Sequence, residues 1–278
     1  MKLFGLRYFS IKSENTLFDL PDQLTPGNLF VYALNKNITI DYYGKSYTTR
    51  LVVQTVSARY LVGYILKSTD VHLINLDEKL FSEEDIINLE KIFFVIDQET
   101  QIFACQHNYD IATADNIKNV LEILTNAAIS SFGYVVKLEY IVDKFKFWNI
   151  IEESNGIFQI AFKLNAPNLF GGSKVANQWL KELKDKHNMT TVGVDVRNEN
   201  AALTYDEEEL ESYRDYADSG GGEWTLAVLQ KGRRRKYKSA NHLRQKDLDL
   251  ENDSPSFILR NIEDVFRKMI DIFDSLND

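Results

Sequence analysis

The sequence predicts an α+β protein with a mostly antiparallel, β-rich N-terminal lobe and a mixed α/β C-terminal lobe. β-prone runs joined by short turns fill the first hundred residues, and apolar residues at helical spacing first appear after Thr113. A long amphipathic helix that starts at Pro255 ends the chain. We place the boundary between the lobes so that residues 1–131 form the first and residues 132–278 the second.

The N-terminal lobe is predicted to be a β meander with a closing helix. Tyr43 and Gly44 lie between two β-prone runs, as in a hairpin turn, and residues 97–100 separate two more. The predicted strands are 3–11, 28–34, 38–41, 47–57, 60–66, 71–76, 92–96 and 101–106. A helix capped by Thr113 or Asp115 then runs to Ile129, because apolar residues recur there at helical spacing.

The C-terminal lobe alternates strands and helices. The predicted strands are 134–142, 156–164, 191–196 and 223–230, and the predicted helices are 173–186, capped by Ser173, and 205–218. The second of these helices is acidic. It is expected to stop at the run of glycines 220–222, since glycine tolerates the left-handed geometry that a chain reversal needs.

The last helix begins at Asp253-Ser254-Pro255, which offers a capping side chain and a proline in the first turn. Its apolar residues then alternate steps of four and three, which is a heptad seam. The seam consists of Ile258, Ile262, Val265, Met269, Ile272 and Leu276, and it is widened by Phe266, Ile270 and Phe273. So broad a stripe indicates burial in the protein's own core, and a homodimer formed through this helix remains the alternative.

Composition points to a soluble protein of the cytoplasm. The chain has 278 residues, 44% of them hydrophobic and 26% charged. It shows neither a signal peptide nor the ~18 consecutive apolar residues that a membrane span requires. The single cysteine, Cys105, lies in an apolar run, so we expect a buried thiol and no internal disulfide.

One segment reverses the charge of the chain. Residues 231–246 carry +8 with no acid, so the other 262 residues carry −17 (24 Lys and Arg against 41 Asp and Glu). If residues 224–230 form a strand, Lys231 and Gly232 can make a turn and residues 233–238 the return strand of a two-stranded ribbon. Clustered cations bind phosphates, and such a ribbon fits a nucleic-acid groove. The predicted contact residues are Lys231, Arg233, Arg234, Arg235, Lys236, Tyr237, Lys238, Arg244 and Lys246, with Tyr237 stacking on a base or bonding a phosphate.

Two other interpretations of this basic segment stay open. Residues 206–223 hold eight acids against one arginine, so the two segments can neutralise each other as a solvated surface, or the acidic helix can mask the basic segment. Exposed ion pairs contribute only about 0–1 kcal/mol each, so such pairing would not exclude a polyanion. An acidic protein partner, or self-association, is the third interpretation.

Motifs for catalysis are weak. Gly171-Gly172-Ser173-Lys174 precedes a helix and can hold a phosphate, but it lacks the spacing of a P-loop, and a capped loop is the simpler interpretation. The four histidines are scattered, and no nucleophile motif is present. A metal-dependent nuclease remains an alternative, with Glu139, Asp143 and Lys144, or Asp195 and Arg197, as candidates. We expect no catalytic residue, metal or cofactor.

The order of elements resembles that of the RexA-type phage-exclusion proteins, over about half of the chain. The likeness lies in the predicted hairpin of residues 92–104, the helix of residues 115–124, and a mixed second half that ends in a long helix. The resemblance implies a DNA-binding protein of antiphage defence that forms a homodimer and has an effector partner. We therefore expect a non-enzymatic nucleic-acid-binding protein, with DNA favoured.

Overall fold

The computed structural model describes residues 1–12, 20–21, 23–53, 59–77, 80–165, 174–187, 189–252, 254–261, 263–265, 267–268 and 272–273. These residues form the predicted α+β fold. The strands are β1 (Lys2–Lys12), β2 (Thr39–Tyr42), β3 (Lys45–Val53), β4 (Tyr60–Asp77), β5 (Leu80–Asp97), β6 (Ile102–Gln106), β7 (Tyr134–Tyr140), β8 (Ile157–Asn165), β9 (Thr191–Arg197), β10 (Gly222–Gln230), β11 (Arg233–Lys238) and β12 (Gln245–Asp247). The helices are α1 (Leu29–Leu34), α2 (Ala114–Ile129), α3 (Phe145–Glu152), α4 (Lys174–His187), α5 (Glu207–Tyr216) and α6 (Pro255–Arg260).

The strands form two antiparallel sheets. The first has the order β12-β1-β6-β5-β4-β3-β2, with β7 also paired to β1, and the second has the order β11-β10-β8-β9. Both β7 and β12 come from the predicted second lobe, residues 132–278, yet both pair with β1. One hydrophobic cluster also joins residues of the two sheets, from Phe4 in β1 to Trp224 in β10. The sheets therefore do not divide at residue 131.

The described middle of the first sheet, around residues 92–96 of β5, is buried on both faces. Within β5, Ile92, Phe94 and Ile96 belong to the cluster that α1 and α2 cover, whereas Phe93 and Val95 belong to a second cluster. Adjacent residues of a strand point to opposite faces, so an uninterrupted apolar run such as 92–96 is typical of a strand with two buried faces. Cys105 is fully buried here, as the sequence predicted.

The prediction of a strand at residues 28–34 is wrong, because this segment is helix α1. Leu29, Phe30, Ala33 and Leu34 are all buried, and that spacing fits one face of a helix. The ring of Phe30 stacks on that of Tyr8 in β1, with centroids 4.3 Å apart. Packing against the sheet therefore decides the conformation of a segment whose apolar content also suits a strand.

Three other elements differ from expectation. The strands predicted at 60–66 and 71–76 are parts of the single strand β4, and α3 was not predicted at all. The long helix predicted from Pro255 is interrupted after Arg260, because Asn261 has φ −116°, outside the helical range, and residues 263–265, 267–268 and 272–273 are helical again. Ser254 caps α6 as predicted, by accepting the backbone N–H of Phe257 at 3.3 Å.

The C-terminal seam packs in the core of its own chain where it is described. Val265, Ile272 and Phe273 are buried in the second cluster, and the ring of Phe273 stacks on Tyr60 of β4 at 5.7 Å. They cover the face of the first sheet opposite α1 and α2. The seam residues Ile262, Met269 and Leu276 lie outside the described residues, and so do the flanking Phe266 and Ile270. The homodimer remains a prediction.

The glycine run 220–222 ends the acidic helix as predicted and ties the two sheets together. After α5 the chain makes a π-type turn, Ala217–Gly221, in which Gly220 has φ 84°. A Cβ at Gly220 would lie 2.5 Å from the Cβ of Arg7 in β1, so only glycine fits between them. Arg7 in turn donates to the carbonyl oxygen of Ser219. This close contact fixes where β10 begins.

None of the helices in the described part of the chain combines the length and the apolar character needed to cross a membrane.

Candidate nucleic-acid interface

The basic residues lie on a β-hairpin, as the sequence predicted. Strand β10 pairs with β11 in a continuous register from Thr225 opposite Lys238 to Gln230 opposite Arg233. Lys231 and Gly232 form the two-residue turn with φ of 51° and 69°. Positive φ at both central residues is the type I′ geometry, which matches the twist of paired strands. Strand β11 follows this turn and pairs only with β10, so it is an edge strand of the second sheet.

The register divides the cations of β11 between two faces. Arg234, Lys236 and Lys238 stand opposite Leu229, Ala227 and Thr225, on what we call the open face of the second sheet. The remaining basic residues of the strand, Arg233 and Arg235, point the other way and are also exposed. The inner face is the one that carries the buried Trp224 and Leu226.

Tyr237 lies on the inner face, opposite Leu226. It is half-buried, its hydroxyl donates to Oε1 of Gln230 at 2.6 Å, and its ring packs 6.3 Å from that of His242. The side chain is thus engaged within the protein. Stacking of Tyr237 on a base, which the sequence predicted, would require this side chain to leave its partners in the protein.

The open face continues onto β8 and β9. The guanidinium of Arg234 lies over the ring of Phe158 in β8, 4.9 Å from its centroid. On β9, Asp195 accepts from Arg197 and from Gln159, and these hydrogen bonds, together with the nearby charge of Lys236, lower the pKa of Asp195. The face therefore carries further cations and an aromatic ring that sequence analysis did not connect with β11.

Lys246 belongs to the first sheet, and Arg244 lies in the connection just before it, so both lie away from the second sheet. After β11 the chain turns through Ser239–Asn241, and Lys246 lies in β12, which pairs with β1. Both side chains are half-buried. The basic segment therefore contributes to the open face only up to Lys238, before the Ser239–Asn241 turn.

The acidic segment makes no direct ion pair with the basic one. Residues 206–223 and 231–246 are both described in full, and no ion pair within 4.0 Å joins them. Glu211 and Asp215 pair with Arg214 within the acidic segment, and Glu223 pairs with Lys163 of β8. The cations of β11 therefore remain available to an external polyanion.

A buried carboxyl anchors the hairpin to the core. Trp224 donates its Nε1–H to Oδ1 of Asp218 at 2.7 Å, and its backbone N–H donates to Oγ of Ser239. Burial raises the pKa of Asp218 to about 7, while the Trp224 hydrogen bond and the charge of Arg214, whose Nε is 4.0 Å away, oppose that shift.

The residues proposed for a nuclease serve other contacts. Glu139 is held by Lys118 at 3.2 Å and by Asn165 at 3.0 Å, and Asp195 is paired with Arg197. Among the described residues, no three His, Cys, Asp or Glu side chains are arranged to hold a metal ion. The glycine-rich segment 171–173 lies outside the described residues.

The fold and this surface define a class: an α+β protein in which one sheet is enclosed and the other presents a basic edge strand. A family model for a domain of unknown function, DUF4747, matches residues 27–269. The chain therefore belongs to the DUF4747 family. No curated protein matches it.

Proposed function

We propose that the protein binds nucleic acid, with DNA favoured, by holding the phosphate backbone against the open face of the second sheet. The observation that carries this proposal is the row of Arg234, Lys236 and Lys238 along an exposed edge strand. None of the three forms an ion pair with a carboxylate of the described residues.

The spacing of this row suits a phosphate backbone. Residues on one face of a strand repeat about every 7 Å, so the three cations span roughly 13 Å. A row of this length can contact successive phosphates of one strand. Arginine adds bidentate hydrogen bonds to phosphate oxygens, which lysine does not make.

The charge of the whole chain favours binding at this place. With a net charge of −9, most of the surface repels a polyanion, and residues 231–246 are the local exception. Binding by phosphate contacts releases counterions, so the affinity should fall steeply with salt and depend little on base sequence.

The test compares two triple variants that lose the same charge. The first is Arg234→Ala, Lys236→Ala, Lys238→Ala, and the control is Lys45→Ala, Lys181→Ala, Lys186→Ala, whose lysines are exposed outside the basic segment. Fluorescence anisotropy with labelled duplex and single-stranded DNA and with RNA, over a salt series, gives the affinities.

We expect the open-face variant to bind roughly tenfold to a hundredfold more weakly at low salt. The slope of log K against log salt should fall in magnitude by about 2–3, at 0.7–0.9 per lost phosphate contact. The control should match the parent. Equal affinities and slopes for the open-face variant and the parent would refute the proposal.

The resemblance to RexA-type phage-exclusion proteins supports extending this proposal to phage defence in the cytoplasm, with a homodimer and an effector protein as partners. Cells that carry the gene should then plate phage less efficiently than cells that carry the open-face triple variant. Equal plating by the two would count against the extension while leaving DNA binding intact.

A further inference from the structure

A cleft of about 560 Å³ opens where the basic segment leaves the open face. Its wall is built from three stretches: His107 to Asp115 after β6, Asp143 to Lys146 at the start of α3, and Ala240 to Gln245 after β11. Its volume lies within the range of ~300–1,000 Å³ that small-molecule sites occupy. Neither the hairpin nor any sequence motif accounts for it.

The wall offers aromatic surface at its rim. Tyr109 is 72% exposed, and its ring lies 4.2 Å from that of His107. Phe145, which lies between the lining residues Asp143 and Lys146, is 75% exposed. An exposed aromatic ring next to a polar cleft is the arrangement on which an unstacked base can stack.

Two half-buried histidine rings lie behind the surface of the wall. Burial lowers the pKa of both His107 and His242, with Lys2 and Lys146 adding to the respective shifts, so both rings are neutral at physiological pH. Nε2 of Gln245 lies 2.9 Å from Nδ1 of His107, so that ring nitrogen is engaged within the chain. Within the described residues, Nε2 of each histidine is buried and has no hydrogen-bond partner.

Two carboxylates determine which ligand this wall suits. Oδ1 of Asp143 accepts the backbone N–H of Phe145 at 3.2 Å, and Oδ1 of Asp115 accepts the Tyr140 hydroxyl. Their other oxygens repel a phosphate and accept hydrogen bonds from an amino group. The wall thus combines these two carboxylates with one cation, Lys146, which suits a nucleotide whose base carries an exocyclic amino group better than it suits an isolated anion.

The cleft follows closely in the chain on the row of Arg234, Lys236 and Lys238. Lys238 ends β11, and Ala240, two residues later, already lines the cleft. The cleft lies on the inner-face side of the sheet, since its His242 packs on Trp224 and Tyr237. A strand whose phosphates lie along β11 would reach it by passing round the edge of the sheet, towards the exposed Lys146.

We propose that this cleft binds an unstacked nucleobase that carries an exocyclic amino group, supplied by the nucleic-acid strand held on the open face. This inference rests on the proposed function and adds base selection to it. Cytosine, adenine and guanine qualify, whereas thymine and uracil do not.

The test measures binding of the full chain to single-stranded oligonucleotides of deoxycytidine, of thymidine and of abasic sites at one salt concentration. The parent should prefer deoxycytidine. Tyr109→Ala should weaken that binding about fivefold to a hundredfold, the usual worth of one stacked base, and leave the abasic affinity unchanged. Tyr43→Ala serves as the matched control, since Tyr43 is 85% exposed on the β2–β3 turn.

Asp143→Asn keeps the hydrogen bond to Phe145 and replaces one acceptor with a donor, so it should shift preference from deoxycytidine towards thymidine. Equal binding of all three oligonucleotides by the parent, with binding still lost in the open-face triple variant, would overturn base selection and leave the proposed function standing. Unchanged binding in the triple variant would instead overturn the proposed function.

The base could come from a free nucleotide or from a bound nucleic-acid strand. Competition by deoxycytidine monophosphate distinguishes these two sources. If it bound equally well to the parent and to the open-face variant, and more tightly than the oligonucleotide, the base would come from a free nucleotide. That result would overturn delivery by a bound strand.

Discussion

The two sheets of this protein differ in what covers them. The first sheet packs α1 and α2 on one face and the C-terminal residues Val265, Ile272 and Phe273 on the other. The second sheet packs Phe147 of α3 and Tyr213 of α5 against Phe162, and its opposite face carries exposed charged side chains. Leu180 of α4 belongs to the same cluster. Burial on both faces concentrates apolar packing in the first sheet, whereas one face of the second sheet is left exposed.

The largest effect should come from the core of the first sheet. Phe94 is fully buried in β5, and its ring lies 4.8 Å from that of Phe103. Phe94→Ala removes apolar contacts and leaves a cavity, which costs about 3–5 kcal/mol of unfolding free energy. Denaturant unfolding followed by circular dichroism measures it. A loss below about 1 kcal/mol would mean that the first sheet is not the stable part of the molecule.

A smaller effect, dependent on pH, should come from Asp218 at the base of the hairpin. Its pKa is about 7 in the folded chain and about 3.9 when unfolded, so the folded state binds the proton more tightly. Stability from this group is complete below pH 4 and is lost as pH rises through 7, by at most about 1.4 kcal/mol per pH unit.

Asp218→Asn keeps the acceptor for Trp224 Nε1 and removes the titration. Relative to the parent, this variant should therefore gain stability between pH 5 and pH 8, measured by urea unfolding at both values. If the difference between variant and parent were the same at both pH values, Asp218 would be ionised in the folded chain throughout.

The smallest effect on folding should come from the open face. Arg234→Ala, Lys236→Ala and Lys238→Ala remove exposed side chains, and each should change the unfolding free energy by no more than about 0.5 kcal/mol. The same urea titrations check this. A loss above 2 kcal/mol for the triple variant would show that these cations hold the fold together, and that weaker DNA binding by the variant is secondary to unfolding.

Local signals in the sequence were enough for the hairpin. The alternation of residues 224–230, the turn at Lys231 and Gly232, and the run of cations after it are all local, and the structure confirms the strand, turn and strand. The alternation of cations between two faces followed from the period of a strand. In contrast, α1 was predicted as a strand because a segment of only six apolar residues carries no period that distinguishes the two.

The remaining site residues could not be found from the sequence because they meet only in the fold. His107 and His242 are 135 positions apart, yet both line the cleft. Arg197 and Phe158 come to the open face through the pairing of β8 with β9 and β10, which no local pattern specifies. The pairing of β12 with β1 in the first sheet is likewise long-range, and no local pattern specifies it.

Lysine acetylation of the free and the DNA-bound protein, with each site quantified by mass spectrometry, locates the bound DNA directly. If DNA lies along the open face, it should protect Lys236 and Lys238 and leave Lys45 in the first sheet and Lys181 in α4 as reactive as in the free protein. Protection of Lys45 or Lys181 with unchanged reactivity at Lys236 and Lys238 would contradict binding along the open face.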